Sequence, residues 1–382
     1  MTTNYLQWVE VSRSALSANI GQFRGLIGPR RKLLAVVKAN AYGHGLLEIA
    51  RLALGDGVDW LGVHSLEEGT ALRDAGIEAP ILVLGYVGLR DLEDAVARDL
   101  RLIVYNTETV DALARVCRKL GKPAILHLKT ETGTHRQGVF PQRLFALASR
   151  IRRAPGLILE GLSSHFANIE DTTDHRYPQR QLQCFQQASS ALEKRGVHVP
   201  IRHMSCTAST ILFPDTYFNM VRVGIGLYGL WPSKETYLSC LLQKREPLSL
   251  LPVLSWKSRV AQLKAIPKDS FIGYGCTFRT TRKTMLAVVP VGYAEGYDRG
   301  FSNSAHVLIK GKRAPLIGRV AMDFITVDAT DIPGVRIEEE VVLIGRSGKE
   351  RLTAEYLASL AGTISYEIVA RINPSLRRVV VR

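Results

Sequence analysis

Between Leu33 and Gly224 the chain repeats one unit: a short apolar run, a turn, and a stretch with helical periodicity. The runs are LLAVVK (33–38), WLGVHS (60–65), ILVLGY (81–86), RLIVYN (101–106), AILHLK (124–129), LILEGLSSHF (157–166), IRHMSC (201–206) and NMVRVG (219–224). Eight nearly continuous apolar runs rich in Val, Ile and Leu predict strands buried on both faces, as parallel strands are. Intervening stretches such as LEEGTALRDAG, TETVDALARVCRKLG and RQLQCFQQASSALEKRG predict the crossover helices. Several of these end at a glycine, which tolerates the left-handed conformation of a helix C-cap. The pattern predicts an α/β fold with a (β/α)8 TIM barrel. The competing architecture is an open doubly wound sheet. Even spacing of the units and the lack of a GxGxxG turn after the first run favour the barrel.

The repeat is flanked by different textures. Leu6 to Val11 alternates apolar and polar, which predicts a strand, and Ser12 or Ser14 can cap a helix over ALSANIGQFRGLI. From about Glu246 the chain runs in short alternating segments, among them LSWKSRVAQLKAIP, MLAVVPVGYAEGYDRG, HVLIKGKRAPLIGRV and FITVDATDIPG, separated by Gly-, Pro- and Asp-rich turns. These predict a mainly antiparallel β-domain. A short helix, TAEYLASLAG, and a closing segment, SYEIVARI, follow. The expected division is a barrel over 12–240 and a C-terminal β-domain over 241–382, with the opening strand 5–11 pairing with the latter.

Composition narrows the classes. Of 382 residues, 46% are apolar and 22% charged, as in a globular protein with a sizeable core. No apolar run reaches the roughly 18 residues that span a bilayer. The first residues, MTTNYLQWVEVSRSAL, lack an apolar signal core, so a cytoplasmic location and no membrane partner are expected. The five cysteines, Cys117, Cys184, Cys206, Cys240 and Cys276, form no CxxC pair and read as reduced thiols, with no metal site. The net charge of +15 could mean a nucleic-acid partner, but the basic residues are scattered in short pairs such as Arg152-Arg153. Attraction of anionic small molecules fits at least as well, and no nucleic-acid partner is expected.

Chemistry gathers where the runs end. Lys38 closes the first run ahead of a glycine-punctuated turn containing Tyr42. A lysine held between apolar walls is disfavoured as a cation, and its free amine can form a Schiff base with an aldehyde cofactor. The plainer reading is a lysine that snorkels to water. The fifth run ends at Lys129, followed by TETGTHRQG with Arg136. The sixth gives His165, the seventh His203 and Thr207, and the eighth Arg222 followed by Gly224-Ile225-Gly226. All would lie on the carboxyl rim, the catalytic face of such barrels. VRVGIGLYG suits a phosphate, because its glycines let backbone N–H groups point at oxygens. Arg222 can only donate hydrogen bonds. If it faces a pyridine nitrogen, that nitrogen stays unprotonated. The ring is then a poorer electron sink, which favours proton exchange at one carbon over side reactions.

These motifs carry a resemblance. VVKANAYGHG, RVGIGLYG, GYGCTF, AMDFITVD and SYEI resemble motifs of the alanine racemases, fold-type III enzymes dependent on pyridoxal 5'-phosphate, over nearly the whole chain. The resemblance implies that Lys38 binds the cofactor and acts as one base, and that Tyr274 is the other base, reaching into the partner subunit of a head-to-tail homodimer. Two bases on opposite faces allow a proton to leave one face of a carbon and arrive at the other. It further implies that Arg136 contacts the substrate carboxylate and the cofactor's phenolic oxygen. His165 stacks near the ring, and Arg222, held by His203, faces the ring nitrogen. Tyr42, Thr207, Gly224, Ile225 and Tyr366 bind phosphate. Met322 offers its N–H to the substrate carboxylate, and Lys129 matches a lysine that is often carbamylated.

The chain departs from the family pattern in places. The loop after the fifth run usually reads close to DTGMGRLG and here is ETGTHRQG. Cys206-Thr207 replaces an Asn-Ser pair, and Ala321 stands where a cysteine is common. The expected activity is interconversion of L- and D-alanine, an amino-acid substrate. The alternatives are a racemase of broader specificity acting on serine, lysine or arginine, and a non-catalytic barrel that carries pyridoxal phosphate. A decarboxylase on the same fold lacks support, because its cysteine motif and triple-glycine phosphate loop are missing.

Overall fold

The computed structural model describes residues 5–382. The chain forms two compact units. One comprises Leu16–Ala41 and Ile49–Leu251. The other comprises the segment up to Ala15, Tyr42–Glu48 and Pro252–Arg382. The strand that opens the chain is β1 (Gln7–Ser12), and it belongs to the second of these.

The first unit is built on eight parallel strands: β2 (Lys32–Val36), β3 (Trp60–Val63), β4 (Ile81–Val83), β5 (Arg101–Val104), β6 (Ala124–Lys129), β7 (Leu157–Ser163), β8 (Ile201–His203) and β9 (Met220–Val223). They pair in the order β8-β7-β6-β5-β4-β3-β2-β9. Between β8 and β9 the ladder gives way to two bonds. The Asn219 N–H donates to Arg202 O at 3.3 Å, and the Arg202 N–H donates to Asn219 Oδ1 at 3.0 Å. Leu33, Leu61, Val63, Leu82, Leu126, Leu128, Leu162, Val221 and Val223 are fully buried. Each such side chain contributes roughly 1.5–3 kcal/mol through removal from water. The runs are therefore apolar because both faces are covered, and the eight-stranded TIM-like sheet predicted from them is the one observed.

Local signals set the helix starts. Ser12, not Ser14, caps the first helix, Arg13–Ile27, by accepting from the Ala15 N–H at 3.3 Å. Ser65 and Glu68 form a reciprocal capping box on Leu66–Asp74. Asn106 caps Thr107–Leu120, which ends at Gly121 in the left-handed region, φ 63°.

The second unit is rich in antiparallel strands. They are β10 (Leu254–Arg259), β11 (Gln262–Ile266), β12 (Phe271–Ile272), β13 (Phe278–Arg279), β14 (Thr284–Val289), β15 (His306–Ile309), β16 (Lys312–Pro315), β17 (Ile325–Asp328), β18 (Glu340–Ser347), β19 (Glu350–Leu352) and β20 (Arg377–Val381). The largest sheet runs β16-β15-β18-β10-β1-β20, with β19 on β18, and a smaller one runs β11-β14-β17. β1 lies between β10, antiparallel, and β20, parallel. The segment SYEIVARI is a second short helix, Ser365–Ala370, beside Ala354–Ala361. Among the described residues no helix is long and apolar enough to cross a membrane.

Candidate active site

Lys38 follows β2 directly, after the Val37 N–H donates to Gly62 O at 2.8 Å across to β3. The next four residues, Ala39, Asn40, Ala41 and Tyr42, all have φ of 52–53°. A left-handed turn costs a non-glycine residue roughly 1–2 kcal/mol. Fixed partners offset that cost. The Ala39 N–H donates to Glu68 Oε1 at 2.6 Å, and the Ala41 N–H donates to Val37 O at 2.8 Å. The Tyr228 hydroxyl holds Val36 O at 2.8 Å. The lysine amine is half-buried. Its pKa is lowered, first by burial and then by the Arg136 guanidinium, against the opposing charges of Glu68 and Glu170. Burial and the neighbouring guanidinium thus both favour the uncharged amine relative to an exposed lysine.

Lys129 ends β6, and its Nζ donates to Gln137 Oε1 at 3.1 Å. Burial, followed by the charges of Arg222 and Arg136, brings its pKa down from 10.5 to about 8. The loop after it turns on Glu131, a buried carboxylate that accepts from the N–H groups of Gly133 and Thr134 at 2.6 and 2.7 Å. Arg136 is exposed on this loop.

Arg222, on β9, is 7% exposed and held on three sides. Nη1 donates to His203 Nδ1 at 2.5 Å. Nη2 donates to Ser164 O at 2.8 Å and Met204 O at 3.0 Å, with His165 Nδ1 at 3.4 Å. Burial lowers its pKa to about 10, which leaves it a cation at neutral pH. Burial and then that cation push His203 and His165 well below the usual histidine range. Beyond β8 and β9 the Thr207 hydroxyl accepts from the Gly224 N–H at 3.1 Å, and Gly224-Ile225-Gly226 turns around it. A Cβ on Gly226 would stand 2.6 Å from Thr207 Cγ2 and 2.5 Å from Phe23 Cζ, so only glycine fits. Lys38, Lys129, Arg136, His165, His203, Thr207, Arg222, Gly224 and Ile225 thus share one unit.

The remaining candidates belong to the second unit. Tyr42 and Tyr366, far apart in sequence, bring their ring centroids to 6.0 Å. The residue after Tyr42, Gly43, has a carbonyl that accepts from Arg378 Nη2 at 2.8 Å. Tyr274 stands in a turn between Gly273 and Gly275, φ 69° and 74°, and is 75% exposed. The Arg319 guanidinium packs against Gly275. Met322 is exposed, and its carbonyl accepts from the Ala294 N–H at 3.0 Å, beside Ala321.

Four contributors escaped the sequence reading: Glu68, His127, Gln137 and Glu160. Glu68 stands unremarked in the helical stretch LEEGTALRDAG. His127 and Glu160 stand as single polar residues inside apolar runs, AILHLK and LILEGLSSHF.

Fold and site together define a class: a barrel enzyme with a desolvated lysine amine at the carboxyl rim, joined to a β-rich second unit. Family models for the N-terminal and C-terminal domains of alanine racemase match residues 11–232 and 253–380. The chain is 40% identical to the alanine racemase of Leptospira interrogans over 382 residues, covering all of this chain and 97% of that one. The structure of alanine racemase from Bacillus anthracis with bound L-Ala-P superposes with a TM-score of 0.92 at 35% identity, covering 100% and 96% of the two chains. A histidine racemase from Leuconostoc mesenteroides superposes with a TM-score of 0.89 at 27% identity, over 98% of this chain and 98% of its own. The chain belongs to the alanine racemase family and is a racemase.

Proposed function

We propose that this protein interconverts L- and D-alanine by a two-base reaction with pyridoxal 5'-phosphate. The observation that carries the reading is a desolvated Lys38 amine in the same unit as an Arg222 guanidinium fixed by His203 and two carbonyls. The residues fit the cofactor. The cradle at Gly226 has no room for a Cβ, and a hydroxyl and backbone N–H donors meet there, which suits a phosphate. Thr207, Gly224 and Ile225 would hold that phosphate. Arg222 would donate to the ring nitrogen and His165 would lie by the ring. When bound, the cofactor supplies an electron sink that acidifies the α-hydrogen of an amino acid attached to it.

The chain's own groups do the rest. Lys38 Nζ moves the proton on one face of the α-carbon, and the phenol oxygen of the partner subunit's Tyr274 moves it on the other. Arg136 and the Met322 N–H bind the substrate carboxylate. Lys129, with its pKa near 8, supports carbamylation, since only a neutral amine reacts with carbon dioxide. The resulting anion would pair with Arg136. Exposure of Tyr274 at 75%, with Phe271, Met322 and Phe324 also exposed, supports a head-to-tail homodimer. Five free thiols support a reducing compartment, the cytoplasm.

A second reading is a racemase of broader specificity. The small Ala321, the altered loop after β6 and the structural likeness to a histidine racemase favour it. Incubation with alanine, serine, lysine, arginine and histidine, followed by chiral analysis, separates the two. Fast racemisation of alanine supports the first reading, and refusal of alanine overturns it. Lys38→Ala should abolish both racemisation and the cofactor's visible absorption band. Full activity in that variant would refute both readings.

A further inference from the structure

Behind Arg222 a file of hydrogen bonds runs through the barrel wall. His203 Nε2 meets His127 Nδ1 at 2.8 Å, and His127 Nε2 meets Glu160 Oε2 at 3.0 Å. Arg101 Nε donates to the same carboxylate oxygen at 3.0 Å. Both imidazoles are fully buried. Arg101 opens β5 and His203 closes β8, so the file leads from the carboxyl rim toward the other end of the strands.

The polarity of the file follows from its two ends. A guanidinium only donates, so His203 Nδ1 must be a bare acceptor. Its proton therefore sits on Nε2 and is donated to His127 Nδ1, which must also be bare. His127 then carries its proton on Nε2 and donates it to Glu160, a carboxylate that only accepts. One tautomer per ring satisfies every contact, and both rings are neutral. Burial lowers both histidines, and the charges of Arg222 and Lys129 act in the same direction on His203. Glu160 opposes this at His127, while its own pKa is lowered by His127 and Arg101 against the effect of burial.

The backbone is shaped for the arrangement. Opposite β6, Leu126 faces Leu159 and the next residue, His127, faces Gly161, so Glu160 is the extra residue of a bulge. Bulges re-aim side chains. Gly161 then leaves space for the ring: a Cβ there would stand 2.1 Å from His127 Nδ1. Trp60 packs edge-on against His127 at 5.7 Å and lies under the Arg101 guanidinium at 4.7 Å.

We propose that Glu160 is a positioning residue that acts through the Nε2–H tautomers of His127 and His203 to hold Arg222 as a hydrogen-bond donor at the carboxyl rim. The relay is built entirely from side chains of this chain. Its consequence for rate rests on the cofactor reading above.

Protein labelled with nitrogen-15 histidine tests both parts, read before and after addition of pyridoxal phosphate. Signals are assigned by their loss in His127→Gln and His203→Gln. The expected spectrum shows both rings neutral with hydrogen on Nε2, cofactor or none. Hydrogen on Nδ1, or an imidazolium, at either ring overturns the proposal. Glu160→Leu should disturb both ring signals and lower kcat on the order of ten-fold with little change in KM, as loss of an outer hydrogen-bond partner does elsewhere. Glu160→Gln, whose amide oxygen still accepts, should keep both tautomers and most of the rate. Equal loss in Gln and Leu variants, or no loss in either, overturns it. If Glu160→Leu fails to fold, the wild-type spectrum and the Gln variant still decide. Failure to bind pyridoxal phosphate would refute the cofactor reading and leave the ring signals readable.

Discussion

Lys129 shows how one half-buried charge couples the site to stability. Its pKa is about 8 in the fold against an ordinary 10.5. Below pH 8 the amine is charged in both folded and unfolded chains, and the fold bears the full cost of burying the cation. Between about pH 8 and 10.5 the unfolded chain binds more protons than the folded one, so stability rises with pH in that window. A shift of this size corresponds to about 3 kcal/mol in total. Lys129→Met removes the titration. Thermal melts in buffers freed of carbon dioxide, where Lys129 stays an amine, should therefore show wild type gaining on the variant as pH rises from 8 to 10, with the difference flat below 7. A difference that stays constant through pH 10 would contradict the lowered pKa. Sequence marked this residue, like Lys38, because each interrupts an apolar run where the run ends. His127 and Glu160 interrupt runs in their middle, where a polar residue reads as a satisfied core group. Their alignment depends on a bulge between β6 and β7 that no local pattern in LILEGLSSHF announces.

Among elements, the turn after β2 combines strain with tight contact. Four left-handed residues lead from Lys38 into Gly43, φ +82°, where a Cβ would stand 1.9 Å from Val369 O. Gly57 is a useful control: it is also left-handed, φ +90°, with nothing within 4 Å of its Cβ position. Gly57→Ala should cost only the backbone conformation, about 1 kcal/mol. Gly43→Ala adds displacement of the Ser365–Ala370 backbone, for a total of about 2–4 kcal/mol. Melting temperatures of the two variants measure the difference, and equal losses would show that the approach to Val369 is not tight. The barrel strands were legible because burial on both faces forces continuous apolar runs. The handedness of this turn was not, since Ala-Asn-Ala-Tyr has no intrinsic reason to turn left. Tertiary partners, Glu68 above all, impose it. The helix Ser365–Ala370 was read only as a closing segment for a related reason: six residues are too short to display a helical period.

For the whole molecule the decisive question is whether Lys38 and Tyr274 that serve one substrate come from different chains. A closed twofold dimer has two equivalent sites, and each would take its lysine from one subunit and its phenol from the other. Lys38→Ala and Tyr274→Phe would each disable both sites of their own homodimer. Co-expressing the two chains forms hybrids in which one site carries both defects and the other carries none. Random assembly makes half the dimers hybrid, so about one quarter of all sites should be native in composition. Racemisation by the mixture should rise to about that fraction of wild type, while each parent stays near its own background. If both bases came from a single chain, every hybrid site would carry one defect, and mixing would restore nothing. Exposure of Tyr274 on a glycine-flanked turn is what a group offered to another subunit requires, because a phenol serving its own chain would gain from being packed in place. Measuring the mixture over a dilution series adds the assembly itself to the test. Activity that depends on two chains must fall together with the dimer population, whereas single-chain catalysis would survive dilution unchanged.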